Sequence, residues 1–382
     1  MKLFVATDFR TVKCRGRFYL ASQYFYIIKR YREQFGSVVL CSRYIECDET
    51  EGLFNIDDLL DGFIGVKELS EFLTFPVKKK IEDEVRKCDM VVGRYPSFAA
   101  SVSASVADRL GKTMYAEVMA DPWDAYWNHS LKGKIIAPLM FLITKKNVKG
   151  ADYALYVTEE FLQRRYPTRG KNVGVSDVMI DRMAEERLNE KLENLQENVR
   201  ELTLMTTAAV DVAFKGQQYV IKAIPILNRF GIRVKYCMVG GGNPERLKKI
   251  ADKYGISEQV KFLGVQTLDK VIDYLDQTDI YVQPSLQEGL PRALVEAMSR
   301  GCVCLGACTG GIPELLPEEC IFARKSAKAI ARSIIKVANK KSMFNLAKQN
   351  YEKAKKYEDA VLSEKRNAFY NQVKKELGFK GV

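Results

Sequence analysis

Short apolar runs alternate with amphipathic stretches along most of the chain. In the first part, "LFVAT", "SVVLCS", "DMVVG", "TMYAEV" and "YALYVT" read as strands, with helical patterns such as "YLASQYFYIIKRYREQF" and "SFAASVSASVADRL" between them. Strands that alternate with helices predict a parallel sheet covered by helices. After Val157 the rhythm breaks. There follow "YPTRGKNVG" and then a charged helix-like run, "DRMAEERLNEKLENLQENVREL". It then restarts: "LTLMTTA", a helix near 216–230, "RVKYCMVG", a helix near 244–254, "QVKFLG", a helix near 267–276, "DIYVQPS", a helix near 291–300, and "CVCLGA". The boundary between the two α/β units falls near 175–200. Two doubly wound units predict a cleft, with ligands outside the carboxyl ends of strands.

Composition adds a bias of charge. The 382 residues carry 60 Lys and Arg against 48 Asp and Glu, a net charge of +12. That excess serves either plain solubility or an anionic partner such as phosphate, nucleic acid or an anionic membrane surface. No nucleic-acid module signature is present. The last 43 residues hold eleven basic and five acidic side chains in amphipathic helical pattern. Such a run either packs with a solvated lysine face or lies on an anionic bilayer. The longest apolar run, "IIAPLMFLI" from Ile135 to Ile143, falls well short of the roughly 20 residues of a spanning helix. The protein is expected to be cytoplasmic, soluble or peripheral. Nine cysteines without a CxxC pair, and one histidine, argue against a zinc site and fit a reducing compartment.

The chemistry concentrates in "QEGLPRALVEAMSRG", where Glu288 and Glu296 stand eight residues apart. Pro291 suits the first helical position. Leu290, Ala293, Leu294, Ala297 and Met298 take the core-facing helical spacing, which turns Arg292, Glu296 and Ser299 away from it. Backbone N–H groups around 289–293 at a strand's carboxyl end form an anion site. Glu288 beside it either complements the helix dipole or accepts hydrogen bonds from hydroxyls next to a phosphate. Glu296 is either a solvated helix residue or a second hydroxyl acceptor. Lys215 and Gly216 precede a helix in a similar position, Gly240 and Gly241 open another turn, and "GACTGGIPELL" supplies a third. Together these make a nucleotide-sugar pocket plausible.

The succession "FKGQQYVIKAI", "CMVGGGNPERLKK", "VKFLGV", "DIYVQPSLQEGLPRALVEAMSRG" and "TGGIPELL", within residues 202–317, resembles the donor-binding domain of family-four retaining glycosyltransferases. Glu-x7-Glu is its most specific mark. The amino-terminal segments "YLASQYFYIIKRY", "DPWDAYWNHS" and "ADYALYVTEEFLQRRYPTRGK" look like those of bacterial capsular and exopolysaccharide members. The resemblance implies an α/β fold of GT-B architecture, two Rossmann-like doubly wound domains facing a cleft. Residues 1–180 would bind the acceptor and 200–355 the donor, and a terminal helix, 356–382, would cross back to the first domain.

It also implies roles. Glu288 would contact hydroxyls of the donor sugar, Glu296 the ribose, Lys215 the diphosphate, and Val265 the base through its backbone. The N–H groups of Gly289 and Leu290 would hold phosphate and sugar. His129, the only histidine, would reach the donor sugar or else simply pack in its aromatic turn. Many family members carry an arginine five to seven residues before the lysine, but "TTAAVDVA" has none. Arg292, or a residue of the basic loop "RTVKCRGR" (Arg10, Lys13, Arg15, Arg17), would then supply the cation. The expected activity is retaining, metal-independent transfer, of hexosyl type, from a nucleoside diphosphate sugar to a hydroxyl of a glycan or lipid-linked acceptor in surface polysaccharide or glycolipid synthesis. No cofactor and no nucleic-acid partner are expected. The alternatives are a GT-B nucleotide-sugar epimerase and a non-catalytic protein that binds sugar nucleotides or glycans.

Overall fold

A computed structural model of the chain describes residues 1–127, 131–178, 180, 183–195 and 199–379. It divides into two compact units. One is Met1–Val175 with Arg366–Val382; the other is Ser176–Lys365.

The first unit contains strands β1 (Lys2–Cys14), β2 (Arg17–Ala21), β3 (Ser37–Glu46), β4 (Leu53–Asn55), β5 (Gly62–Val66), β6 (Met90–Tyr95), β7 (Thr113–Val118), β8 (Tyr153–Tyr156) and β9 (Lys171–Gly174). Its helices are α1 (Ser22–Phe35), α2 (Phe75–Arg86), α3 (Phe98–Arg109), α4 (Pro122–Trp127), α5 (Leu131–Gly150) and α6 (Phe161–Arg165). Strand β1 pairs with three others. Its first half lies parallel between β3 and β6, and β7, β8 and β9 continue the parallel order beyond β6. Past a register shift between Ala6 and Arg10, its second half stays on β3 and pairs antiparallel with β2.

The segment expected as a basic loop, "RTVKCRGR", is therefore the end of β1, a turn at Arg15–Gly16 and the start of β2. Its charged side chains mask a strand whose Thr11, Val12 and Cys14 are buried. The Thr11 hydroxyl meets that of Ser42 at 2.8 Å. Ile81 and Val85 of α2, Ala99, Ala100 and Ala107 of α3, and Val148 of α5 close one core with Val91 and Ala116 of the sheet.

The second unit contains β10 (Glu201–Thr207), β11 (Arg233–Val239), β12 (Val260–Gly264), β13 (Ile280–Gln283), β14 (Val303–Ala307) and β15 (Ile321–Phe322). They lie in the order β12-β11-β10-β13-β14-β15, all neighbours parallel. That is the order of a doubly wound dinucleotide-type sheet, and its direction reverses between β10 and β13. The helices are α7 (Glu185–Glu193), α8 (Gln217–Arg229), α9 (Glu245–Lys253), α10 (Leu268–Asp276), α11 (Arg292–Ser299), α12 (Ile312–Leu315), α13 (Ala327–Val337), α14 (Lys340–Ala354) and α15 (Asp359–Glu376). The long charged run before β10 yields only the nine residues of α7 as helix among the described residues.

Helix α15 contributes its second half to the first unit. There Phe369, Tyr370 and Val373 are buried. Tyr370 meets Phe35 edge-on at 5.1 Å, and Phe369 lies 5.9 Å from Tyr115. The Tyr153 hydroxyl donates to Glu376 at 2.8 Å, and Lys171 pairs with the same carboxylate. These contacts hold the Glu376 carboxyl down at about 2. No described helix is long and apolar enough to cross a membrane.

Candidate active site at the strand-order reversal of the second unit

Two loops leave the sheet where its order reverses. The loop after β10 leads through Lys215 and Gly216 into α8, and the loop after β13 carries Glu288, Gly289 and Leu290 into α11. A doubly wound sheet opens a crevice at this point because its neighbouring connections run to opposite faces. Here the loops meet: Lys215 Nζ lies 2.9 Å from Glu288 Oε1. The lysine side chain is 26% exposed and the glutamate 12%.

A buried relay fixes that carboxylate. The Thr207 N–H donates to the Tyr281 hydroxyl at 3.1 Å, and that hydroxyl donates to Gln283 Oε1 at 3.2 Å. Gln283 Nε2 then donates to Glu288 Oε1 at 3.1 Å and to Ser285 Oγ at 2.9 Å. Tyr281, Gln283 and Ser285 are buried. Burial pushes the Tyr281 hydroxyl well above the ordinary tyrosine range, so it keeps its proton as a donor.

Two glycines let the loops close. Gly216 has φ +81°, and a Cβ there would stand 2.0 Å from the Pro284 carbonyl oxygen. Gly310 has φ +54°, and its Cβ would stand 2.0 Å from the Glu288 carbonyl oxygen. Any L side chain would push the Glu288 loop away. The Gly311 N–H donates to the Gly289 carbonyl at 2.7 Å, so the glycine turn after β14 braces the loop that carries Glu288. Among the described residues no hydrogen bond takes up the N–H of Gly289 or Leu290. With the first-turn N–H groups of α11 they form a patch of positive potential.

Helix α11 begins at Arg292, with Pro291 at its cap. Ser299, expected to face away from the core, is buried, as is Val295. The helix packs against both the sheet (β13 and β14) and α14, so two faces are covered rather than one. Ser299 satisfies its hydroxyl on the Glu296 carbonyl at 2.7 Å. Glu296 keeps 18% of its side chain exposed and accepts from Arg292 Nε at 2.7 Å. Arg292 is thus tied to Glu296, one turn along the helix.

The remaining expected residues line neighbouring loops. The Gly240 N–H donates to the Gly264 carbonyl and the Val210 N–H to the Gly241 carbonyl, both at 2.9 Å, which joins the turns after β10, β11 and β12. Val265 is 79% exposed, and its Cγ2 would lie 3.1 Å from a Cβ on Gly241. His129 lies outside the described residues. The basic residues Arg10, Lys13, Arg15 and Arg17 belong to the first unit. Among the described residues no three His, Cys, Asp or Glu side chains converge as they would to hold a metal ion.

One cation escaped the sequence reading. Arg246 of α9 folds back over the loop that lacks an arginine, 3.4 Å from Gln218 Oε1 and 3.5 Å from the Val210 carbonyl. Only its place in a strand–glycine turn–helix motif could have pointed to it.

A family model described as "Glycosyl transferases group 1" matches residues 188–357. Protein CapJ of Staphylococcus aureus is 31% identical over 348 residues, 88% of this chain and 87% of that one. The amylovoran biosynthesis glycosyltransferase AmsK of Erwinia amylovora is 36% identical over 109 residues, 27% of each chain. Among solved structures, sucrose-phosphate synthase from Thermosynechococcus elongatus aligns with a TM-score of 0.69 at 15% identity, over 98% of this chain and 100% of that one. Anabaena HepE in complex with UDP aligns at 0.67 and 13%, over 97% and 100%. At these identities the structures speak for a shared fold.

Proposed function

This chain belongs to the group 1 glycosyl transferases and has their GT-B fold, and from that premise we propose that it moves a sugar from a nucleoside diphosphate donor to an acceptor hydroxyl with retention at the anomeric carbon and without a metal ion. Glycosyltransferase activity stands ahead of the epimerase and non-catalytic alternatives. The observation that carries the finer reading is the Lys215–Glu288 pair beside the amino end of α11.

A diphosphate at the free N–H groups of Gly289, Leu290 and the first turn of α11 would draw Lys215 toward it. Glu288, released from the lysine but still held by Gln283, would then accept hydrogen bonds from hydroxyls of the transferred sugar. Glu296 would hold the ribose, and the Gly240–Gly241 turn with Val265 would border the base. As the bond from the anomeric carbon to the diphosphate oxygen breaks, the leaving oxygen keeps the electron pair. Lys215 and the α11 dipole meet that charge with groups already in place. The acceptor hydroxyl oxygen bonds to the anomeric carbon on the face the diphosphate left, and its proton passes to the departing phosphate oxygen. Arg246 is a second candidate cation, beside Arg292.

HepE was solved with UDP and, in another crystal, with UDP-glucose, which makes uridine donors the first to try. The names of AmsK and of a colanic acid biosynthesis glycosyltransferase of Escherichia coli, 29% identical over 130 residues, support an acceptor in surface polysaccharide synthesis. With a glycan or lipid-linked acceptor of that kind, we place the protein on the cytoplasmic side, peripheral to the membrane.

The test is a melting-temperature panel of UDP-, GDP- and ADP-sugars on the wild type and on Lys215→Ala. At least one donor should stabilise the wild type, and the lysine variant should lose most of that shift. A flat panel would refute donor binding.

A further inference from the structure

Helix α5 turns the wrong face to water. Gly133, Ala137, Met140, Thr144 and Val148 are buried, which is the stripe a packed helix needs. The opposite face should be polar. Instead Ile135 is 80% exposed, Leu139 56% and Leu142 62%. Their i, i+4, i+7 spacing aligns them in one stripe about 10 Å long. Lysines stand at both ends of that face: Lys134 before it, and the exposed Lys145, Lys146 and Lys149 after it. No acidic residue occurs between Leu131 and Gly150. Trp127, at the end of α4, is 40% exposed and stacked on Trp123, with Lys134 Nζ 5.9 Å from its ring.

We infer that this face of α5 is the membrane-docking surface of the protein, and that it seats on an anionic bilayer. The inference deepens the peripheral placement proposed above by naming the surface and the lipid charge. An apolar stripe with lysines at its ends and an indole beside it matches the layering of a headgroup region. The aliphatic side chains enter the acyl boundary, the indole sits at the interface, and the ammonium groups reach lipid phosphates. A protein partner fits less well. Three aliphatic side chains fall far short of the roughly 800 Å² per partner of a stable interface, and lysine is depleted in such interfaces.

A second site on the same unit agrees. Leu73 and Phe75, 56% and 78% exposed, precede the exposed Lys78, Lys79 and Lys80 at the start of α2. Helices α2 and α5 share one core and each leads into a strand of the parallel sheet. Both therefore begin at its carboxyl end.

The carboxyl-terminal lysines make a contrasting case. Helices α14 and α15 bury Met343, Leu346, Tyr351, Leu362, Phe369 and Tyr370, and acidic residues are interspersed among their exposed lysines. That is the surface of ordinary packed helices.

The test is co-sedimentation of the full chain with vesicles of phosphatidylcholine alone and mixed with phosphatidylglycerol. The wild type should bind the mixed vesicles, and salt should weaken that binding. Ile135→Ser/Leu139→Ser/Leu142→Ser, at exposed positions, should keep the wild-type melting temperature and lose binding by at least about tenfold. Lys145→Glu/Lys146→Glu/Lys149→Glu should lose the preference for anionic lipid. If the wild type ignores both vesicles, the peripheral placement fails, and the inference with it. If the wild type binds and both triple variants bind equally well, α5 is not the surface although the placement stands. If the serine variant instead dissolves a dimer seen by analytical ultracentrifugation, the stripe belongs to a second copy and the inference is overturned.

Discussion

The Glu288 carboxylate is held by Gln283 from behind and Lys215 from the front, both on Oε1. The glutamine is buried and belongs to a strand, whereas the lysine is partly exposed on a loop. Ligand binding should therefore move Lys215 and leave Glu288 in place. Among the described residues the ion pair of Glu296 is with Arg292 along its own helix, not with the lysine that meets Glu288, and the two glutamates should answer to different parts of the donor. Glu296→Ala should weaken nucleoside diphosphate and whole donor alike. Glu288→Ala should leave the free nucleotide nearly unaffected and reduce turnover, since a misplaced sugar loses orientation. Lys215→Ala should cost nucleoside diphosphate about 1.5–3 kcal/mol more than nucleoside, the size of a charge-assisted hydrogen bond. Calorimetry with the three ligands on the three variants separates these cases. The same ligand profile for both glutamate variants would refute the division of labour.

Among the elements, the second half of α15 has the clearest energetic consequence. Tyr370 is fully buried against Phe35 and Tyr115 in the first unit. Tyr370→Ala should therefore lower the stability of that unit by about 3–5 kcal/mol, the usual cost of removing a buried aromatic side chain. Denaturant unfolding followed by the fluorescence of Trp123 and Trp127, which both lie in this unit, measures it. A loss below about 1 kcal/mol would mean that the helix is not part of that core.

Most elements were legible from the alternation of apolar runs with helical patterns. In the second unit, β11, β13 and β14 read correctly because both their faces are largely covered, leaving short apolar runs between glycine turns. The β1–β2 hairpin was not legible. Its charged residues look like a loop, and only pairing with β2 and β3 makes a strand of them. Strand β9 was hidden for the same reason, since "KNVG" has no apolar run of its own. At the site, spacing brought Glu288, Glu296, Lys215 and the glycine turns into view. It could not show the Tyr281–Gln283 relay or the return of Arg246 to Val210, because those depend on which side chains meet across strands and loops. The two-sided burial of α11 depends on α14, about fifty residues further on, and helical period alone carries no sign of it.

For the molecule as a whole, the sequence, the fold and the relatives agree on a glycosyltransferase; retention at the anomeric carbon and independence from metal are what we propose beyond that. Lys215 and the amino end of α11 are assigned the charge that a divalent cation would otherwise meet. Water taking the place of the acceptor hydroxyl would let the course be read before the acceptor is known. The most direct measurement is proton NMR of donor hydrolysis in EDTA, using the nucleoside diphosphate α-sugar that stabilises the protein best. The account predicts that the α-anomer of the free sugar appears first and that the rate is unchanged by the chelator. Initial release of the β-anomer, or activity that vanishes in EDTA and returns with manganese, would contradict it.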